Sequence, residues 1–260
     1  MSRRGIAGKF GGEQAWPRVA VAAFILVFSL LGTPVTARAA IVCPSPPEHA
    51  LEATQPFNIG ELKLQVLRYA CSGAYEQDIA KVAGEARAYV EQRAGQVAKP
   101  ALVLDIDETS LSNWVEILAN DFGYIPGGGC DLLPKGPCGV HAWELSARAE
   151  VIAPTLALFN AARAKGVAVF FITGRASDDE ERAATVKNLE AAGYAGWTAL
   201  IMRTSTAARM TATEYKSLER AKIAAQGYTI IANMGDQKSD LDGGHSERVF
   251  RLPNPFYFLP

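Results

Sequence analysis

From about residue 100 onward, short apolar runs alternate with longer helix-like stretches. Each apolar run is rich in aliphatic or aromatic residues and gives way abruptly to polar residues. Short runs of this kind are typical of buried parallel strands. The pattern therefore predicts four parallel strands, at Ala101–Leu104, Val167–Ile172, Ala199–Met202 and Tyr228–Ala232.

Helix-like stretches precede and separate these runs. In the first stretch, apolar residues recur at helical spacing, as at Ile79, Val82, Ala86 and Val90, and we predict one or two helices there. Alternating strands and helices predict an α/β fold, a Rossmann-like parallel sheet with helices on both faces. Functional residues in such sheets gather beyond the carboxyl ends of the strands. The predicted helical stretches are 61–97, Ala153–Lys165, Asp178–Ala192 and Glu214–Gln226.

Residues 110–152 interrupt this alternation. The middle of the segment, from Pro126 to Gly139, is rich in glycine and proline and cannot form a regular helix or strand. Loops of this length are usually functional or disordered. We therefore predict a small cap at about 110–152, inserted after the first strand and pinned by Cys130 and Cys138.

The N-terminus has the pattern of a signal peptide. Basic residues precede an almost wholly apolar run at Val19–Leu31, and Ala37–Ala39 supplies the small residues that signal peptidase requires. The alternative is a membrane anchor, but an apolar run of 13 residues is short for a spanning helix. We predict that residues 1–39 are a cleaved signal peptide, that 40–260 form the mature domain, and that no stable membrane span remains.

Composition and charge narrow the class of protein. The chain has 260 residues, 49% hydrophobic and 20% charged, which suits one α/β domain with an inserted cap. The net charge is −1, but signal cleavage would remove five basic residues and one acidic residue and leave −5. Neither value favours binding to a nucleic acid polymer. The sequence leaves the oligomeric state open.

The four cysteines agree with export to a secreted or periplasmic location. All of them lie in the predicted mature part, and their number is even. A local disulfide between Cys130 and Cys138 would leave Cys43 and Cys71 to pair, although four cysteines allow three connectivities. A zinc site is the alternative, but the chain has no CxxC spacing and only three histidines.

The main chemical signal is a pair of carboxylates at the end of the first predicted strand. Asp105 and Asp107 are separated by one residue. Two neighbouring carboxylates at a buried strand end are costly unless a cation lies between them, and carboxylate oxygens suit Mg²⁺. One carboxylate could attack phosphorus, and the other could exchange the proton. The alternative is a strand-end turn with solvated aspartates.

Four residues farther along the chain could complete such a site. Thr173 offers a hydroxyl group and Lys216 a positive charge to a phosphoryl group, while Asp236 and Asp240 offer further metal ligands. Each also has an ordinary structural interpretation. Thr173 could cap the following helix, Lys216 could be an exposed lysine, and Asp240 could be a turn residue.

The order of these motifs resembles the haloacid dehalogenase-like (HAD) superfamily. Neighbouring segments narrow the resemblance to its class B-type acid phosphatase branch, subfamily IIIB, which includes secreted bacterial acid phosphatases and plant vegetative storage proteins. The four superfamily motifs are Asp105–Thr109, Phe170–Arg175, Glu214–Ser217 and Gly235–Asp240. The narrowing segments are Leu111–Asn113, Lys187–Leu189, Gly193–Tyr194, Tyr215–Ser217 and Leu252–Pro255.

The resemblance implies a role for each candidate residue. Asp105 would be the nucleophile and Asp107 the general acid and base, while Thr173 and Lys216 would hold the phosphoryl group. Mg²⁺ would bind to Asp105, the backbone carbonyl of Asp107, and Asp236, with support from Asp240. Lys238 is a departure, because relatives tend to carry an aromatic residue there.

The predicted cap is the candidate for substrate selection. Its aromatic residues could stack on a leaving group, although each tryptophan is more simply explained as packing. His141 is more simply explained as a surface residue. The candidates are Trp114, Phe122, Tyr124, His141 and Trp143.

Together these observations predict a secreted, Mg²⁺-dependent acid phosphatase that hydrolyses small phosphate monoesters through an aspartyl-phosphate. Two alternatives remain open at this point. One is a non-catalytic binding or surface protein on a phosphatase scaffold, and the other is a phosphotransferase. The sequence does not identify the physiological ester.

Overall fold

A five-stranded parallel sheet forms the centre of the protein. The computed structural model describes residues 57–259, so the predicted signal peptide and Cys43 lie outside the described residues. The strands follow the spatial order β5-β4-β1-β6-β7, and all four neighbouring pairs are parallel. They are β1 (Pro100–Leu104), β4 (Ala168–Ala176), β5 (Ala199–Arg203), β6 (Thr229–Gly235) and β7 (Arg248–Arg251).

Helices cover the two faces of this sheet, so the predicted α/β fold is confirmed. The helical stretch predicted at 61–97 forms two helices, as expected. The helices are α1 (Ile59–Cys71), α2 (Ala74–Arg93), α3 (Trp114–Ala119), α4 (Val140–Ser146), α5 (Ala153–Ala164), α6 (Asp179–Ala191), α7 (Ala212–Ala225) and α8 (Lys238–Leu241). Short 3₁₀ helices occur at Ala94–Gln96 and Ser205–Arg209.

Strand β1 lies at the middle of the sheet and is buried on both faces. Leu102 and Leu104 face one apolar cluster, to which α2 and α5 contribute, and Ala101 and Val103 face a second, to which α7 contributes. A strand that is buried on both faces needs apolar residues at every position, so it appears in the sequence as a continuous hydrophobic run. This pattern is what predicted β1. The residue that follows β1 is therefore placed at the centre of one sheet edge.

Three strands differ from the prediction. Strand β6 was expected to end at Ala232 and continues to Gly235, where it pairs with β7. The apolar run that was expected to end at Ile172 continues as β4 to Ala176, because the chain pairs again with β5 where Ala176 lies opposite Arg203. Strand β7 has no counterpart in the prediction, since only two of its four residues are apolar and an arginine stands at each end. Its partner β6 supplies the hydrogen bonds that form it.

The segment between β1 and α5 has little regular structure. Strands β2 (Leu111–Ser112) and β3 (Glu150–Val151) pair as an antiparallel ribbon that brackets α3 and α4. A disulfide joins Cys130 to Cys138, as predicted. Cys71 is also disulfide-bonded. The assignment of about 110–152 as an inserted cap stays a prediction.

The C-terminal tail packs against both the predicted cap and the helical layer. The ring of Phe256 lies 4.8 Å from that of Tyr75 and 5.0 Å from that of Trp114. Such aromatic contacts contribute beyond their buried area. Among residues 57–259, no helix is both long enough and apolar enough to cross a membrane.

Candidate active site

Asp105 lies directly after the central strand β1, and its side chain is buried against a lysine. Its backbone N–H donates to the carbonyl of Met234, at 3.1 Å, which continues the pairing with β6. Nζ of Lys216, from α7, lies 2.5 Å from Oδ1 of Asp105 and 2.5 Å from Oδ1 of Asp240. Lys216 is therefore a buried bridge between two carboxylates, and the interpretation as an exposed lysine is wrong.

Asp236 directly follows β6, and Asp240 lies in the short helix α8 that comes next. Oδ2 of Asp236 accepts hydrogen bonds from Asn254, at 2.7 Å, and from Gln237, at 2.8 Å. Oδ2 of Asp240 accepts the backbone N–H of Gln237 at 2.8 Å, so its side chain folds back across the turn. Gly235 permits this, because a Cβ there would collide with the side chain of Asp240. Asp240 is thus positioned by contacts within this segment, whereas Asp236 is also held by Asn254 of the C-terminal tail.

Three buried carboxylates meet one ammonium group in this cluster. Oxygens of Asp105, Asp236 and Asp240 lie within 4.8 Å of one another. Burial, together with repulsion from Asp240 and Asp236, holds the pKa of Asp105 well above its usual range despite Lys216. Burial and the charge of Asp240 raise the pKa of Asp236 to about 6. An excess of buried negative charge with oxygen donors fits a divalent cation such as Mg²⁺.

Asp107 faces a different partner. Its carboxylate accepts hydrogen bonds from Nη2 of Arg175 at 2.7 Å, from Nε at 3.2 Å, and from Nδ2 of Asn113 at 2.9 Å. Burial alone would raise the pKa of Asp107, but the guanidinium and these hydrogen bonds lower it. The side chain of Asp107 is therefore outside the three-carboxylate cluster, and only its backbone carbonyl is left as a candidate metal ligand.

Thr173 is fully buried in β4 rather than open to the cavity. Its Oγ1 accepts the backbone N–H of Arg175 at 3.2 Å. It does not cap the following helix, because Asp178 does so by accepting the N–H of Glu181. The neighbouring Gly174, by contrast, is exposed and lines the cavity.

A cavity of about 800 Å³ opens above these residues. The cap candidates differ in how they take part. Phe122, Tyr124, His141 and Trp143 line the cavity, whereas Trp114 packs below it. Trp143 is also buried and donates its Nε1–H to Asn113 at 2.8 Å, so packing explains both tryptophans. The chemistry-bearing residues on its wall are Asp105, Asp107, Arg175, Lys216, Asp236 and Asp240.

Several residues of the site were missed as functional residues. Arg175, Asn113 and Asn254 lie within or beside the motifs that carried the family resemblance, so position in those motifs was an available signal. For Arg220, the only signal in the sequence was its position one helical turn after Lys216. It is fully buried and donates to the carbonyl of Gly244 at 2.9 Å and to that of Asp240 at 2.5 Å. It thereby fixes the loop after β6 to α7.

Comparisons with known proteins identify the family of the chain. Acid phosphatase 1 of Solanum lycopersicum is 33% identical over 75% of this chain and 73% of its own length. Vegetative storage protein 1 of Arabidopsis thaliana is 31% identical over 61% of this chain and 55% of its own. The class C acid phosphatase of Bacillus anthracis has a TM-score of 0.60, covering 76% of this chain and 86% of that one. At 22% identity, this last similarity shows the fold alone.

The family assignment follows from the first of these comparisons and from a family model. The model, described as HAD superfamily, subfamily IIIB (acid phosphatase), matches residues 33–260, which include every element of the sheet and every residue of the cluster around Asp105. Phosphatase-type hydrolysis is the activity that this family and the named acid phosphatases support. The chain therefore belongs to subfamily IIIB of the HAD superfamily, the acid phosphatase family.

Proposed function

We propose that the protein is an exported, Mg²⁺-dependent acid phosphatase that hydrolyses small phosphate monoesters through an aspartyl-phosphate on Asp105. One observation carries the proposal. Asp105 lies on the wall of the cavity with its carboxylate held by Lys216 at 2.5 Å, beside Asp236 and Asp240. A nucleophile, a fixed positive charge and a candidate metal site are thus within one cluster, which is the set that phosphoryl transfer requires.

In the first step, an oxygen of Asp105 attacks phosphorus. The bond between phosphorus and the leaving oxygen breaks, and Asp107 donates a proton to that oxygen. Because Arg175 lowers the pKa of Asp107, the protonated form that donates is populated at acidic pH, in the proposed working range. The products are an acyl phosphate on Asp105 and a free alcohol. Arg175 and Asn113 fix the Asp107 carboxyl on the same cavity wall.

In the second step, water attacks the phosphorus of the acyl phosphate. Asp107 accepts a proton from that water, and the bond between phosphorus and the Asp105 oxygen breaks. Inorganic phosphate leaves, and both aspartates return to their starting states. Lys216 and the exposed backbone of Gly174 are proposed to hold the phosphoryl oxygens during both steps. Thr173, whose buried hydroxyl accepts the N–H of Arg175, is proposed to position that backbone.

The proposed metal is Mg²⁺, held by Asp105, Asp236 and the carbonyl of Asp107, with Asp240 in support. The buried cluster has three carboxylates and a single ammonium group, so a divalent cation would balance its charge. When bound, Mg²⁺ would neutralise the combined negative charge of the Asp105 carboxylate and the substrate phosphate.

Export is proposed from the predicted signal sequence and from the disulfide. The predicted signal sequence at 1–39 would direct secretion or transfer to the periplasm. The disulfide between Cys130 and Cys138 fits an oxidising compartment. The acidic working range is proposed from the family description.

The test is the variant Asp105→Asn. Because an amide oxygen cannot form the acyl phosphate, release of phosphate from a chromogenic aryl phosphate with Mg²⁺ should fall by about a thousandfold or more. Asp131→Asn is the matched control, since Asp131 is an exposed aspartate and should tolerate the change. Full activity in Asp105→Asn would rule out this mechanism.

A storage or binding role is the second candidate, because vegetative storage proteins are among the relatives. Retention of Asp105, Asp107, Lys216 and Asp236 favours the enzyme, since storage requires neither a nucleophile nor an acid. Absence of turnover across a panel of phosphate esters with Mg²⁺ would favour storage. Formation of a new phosphate ester when an alcohol is added would instead identify phosphotransfer.

A further inference from the structure

Helices α4 and α6 present a second group of ionisable side chains to each other. His141 and Glu144 are three residues apart on α4, so their side chains lie on one helix face. Glu181 comes from the first turn of α6. One atom from each side chain, a ring nitrogen or a carboxylate oxygen, lies within 4.8 Å of the others. None of the three residues belongs to the cluster around Asp105.

Glu181 is the unusual member of this group. Its side chain is 0% exposed, and neither carboxylate oxygen has a hydrogen-bond partner among the described residues. Buried carboxylates normally accept several hydrogen bonds, because burying an unsatisfied charge is costly. Within the described part of the chain, the one ionisable side chain that lies within 4.0 Å of the Glu181 carboxylate as a salt-bridge candidate is His141, whose Nδ1 is 3.0 Å from Oε2.

Local helix capping does not account for this orientation. Asp178 and Glu181 have the spacing of a capping box, in which the glutamate accepts the N–H of the first residue. Asp178 does accept the N–H of Glu181, at 3.0 Å, but Glu181 does not accept in return. In α7, by contrast, Glu214 completes the same box by accepting the N–H of Thr211 at 2.8 Å. The carboxylate of Glu181 is turned toward α4 instead.

Carboxyl groups outnumber guanidinium groups around this cluster. Arg175 is the nearest guanidinium, but its closest carboxylate is Asp107, at 2.7 Å, and its Nε is 3.8 Å from Glu144. Arg175 therefore balances one of three carboxylates, namely Asp107, Glu144 and Glu181. Three carboxyl groups thus face one guanidinium, and burial raises the pKa of Glu144 to about 8. A bound cation would favour the ionised form of these carboxyls.

We propose that His141, Glu144 and Glu181 form a second cation site that binds a zinc-class divalent metal and ties α4 to α6. One imidazole nitrogen with two carboxylates is a donor set that suits Zn²⁺, whereas Mg²⁺ prefers oxygen ligands. His141 is more than half exposed, so its ring can turn to close the ligand spacing. Three protein ligands leave a fourth position open. The three ligands are distinct from the carboxylates around Asp105, although His141 and Glu144 line the same cavity and Glu144 lies 3.8 Å from Arg175.

The test is binding of Zn²⁺ alone to the untagged mature protein, by equilibrium dialysis in excess Mg²⁺. The wild type should bind one more Zn²⁺ per chain than His141→Ala or Glu181→Gln, or bind it at least tenfold more tightly. Zn²⁺ should also raise the unfolding temperature of the wild type more than that of Glu181→Gln. This variant keeps the shape of the side chain, so it should fold.

Two further variants separate this site from other metal-binding groups. His245→Asn removes a histidine elsewhere in the chain at a positive-φ position that asparagine tolerates, and it should keep the additional Zn²⁺. Asp236→Asn disrupts the carboxylate cluster and should also keep it. The proposal is overturned if His141→Ala and Glu181→Gln bind Zn²⁺ with wild-type stoichiometry and affinity, or if the wild type binds none.

Discussion

At the scale of single residues, the site is built from charges that are buried and only partly compensated. Lys216 contacts two carboxylates at once, and the attraction outweighs the burial that would lower its pKa, so the pKa of Lys216 is raised. Asp107 is neutralised separately by Arg175. This division keeps the nucleophile and the proton carrier under different electrostatic control although they are two residues apart.

The carboxyl of Glu116 gives a pH-dependent prediction at the same scale. Burial, offset in part by a hydrogen bond from Asn120, raises the pKa of Glu116 to about 7, from 4.5. The folded state then holds more protons than the unfolded state between these values, so stability falls as pH rises from about 4.5 to 7. Glu116→Gln should remove this penalty. Its effect on the free energy of unfolding should be more favourable at pH 8 than at pH 5 by about 1–2 kcal/mol.

Urea unfolding of wild type and Glu116→Gln at the two pH values measures this difference. Glu190→Gln is the control, because Glu190 is exposed on α6. Equal effects of Glu116→Gln at pH 5 and pH 8 would show that the carboxyl of Glu116 is not protonated preferentially in the folded state.

At the scale of elements, parallel pairing collects residues that are distant in sequence. Strand β1 lies between β4 and β6, and Leu104 is paired with both Phe171 and Met234. The residues after these three strands must therefore emerge side by side at one edge. Helix α7, which connects β5 to β6, brings Lys216 over the same edge. The site is thus a consequence of strand order.

The capping box of α7 gives a prediction for the element that carries Lys216. Oγ1 of Thr211 accepts the N–H of Glu214 at 3.2 Å, and Glu214 accepts the N–H of Thr211 in return. Thr211→Ala should lower the free energy of unfolding by about 1 kcal/mol, with an unchanged urea m value. Thr211→Ser keeps the acceptor and should restore most of the loss. If serine and alanine are equally destabilising, the cap does not stabilise α7.

At the scale of the whole molecule, the cavity is made by parts far apart in the chain. The sheet edge provides its charged wall, the 110–152 segment provides Phe122 and Trp143, and the C-terminal tail provides Phe256 and Tyr257. The tail is held in place by its aromatic contacts with α2 and α3. The charged wall suits a phosphoryl group, and the aromatic surfaces suit an apolar leaving group.

Metal linkage is a property of the whole folded molecule, because the carboxylate cluster exists only when the sheet is formed. Mg²⁺ at 100 times its dissociation constant should stabilise the protein by about 2.7 kcal/mol. Asp236→Asn should lose most of this increment. Asp242→Asn, a change at a neighbouring exposed carboxylate, should keep it. Thermal unfolding with Mg²⁺ and with chelator measures the increment, and an equal increment in both variants would exclude Asp236 as a ligand.

Much of the fold could be predicted because its central strands are buried on both faces. Ala199–Met202 and the helix at Ala153–Lys165 were placed within one residue of the observed ends. Strand β7 was not predicted, since its hydrogen bonds come from β6 and its own sequence has no apolar run. The buried position of Thr173 was also missed, because the pairing of β4 with β5 extends past the apolar residues.

The sequence by itself determined the strand-and-helix order and the identity of the acidic residues that follow the strands, because burial and turn chemistry are local properties of the chain. Only the tertiary structure decided which charges meet. The contacts of Lys216 with Asp105 and of Arg175 with Asp107 join residues separated by 111 and 68 positions. The direction of the Glu181 side chain toward His141 was also decided by the tertiary structure. It depends on the neighbouring helix, and spacing in the sequence does not encode it.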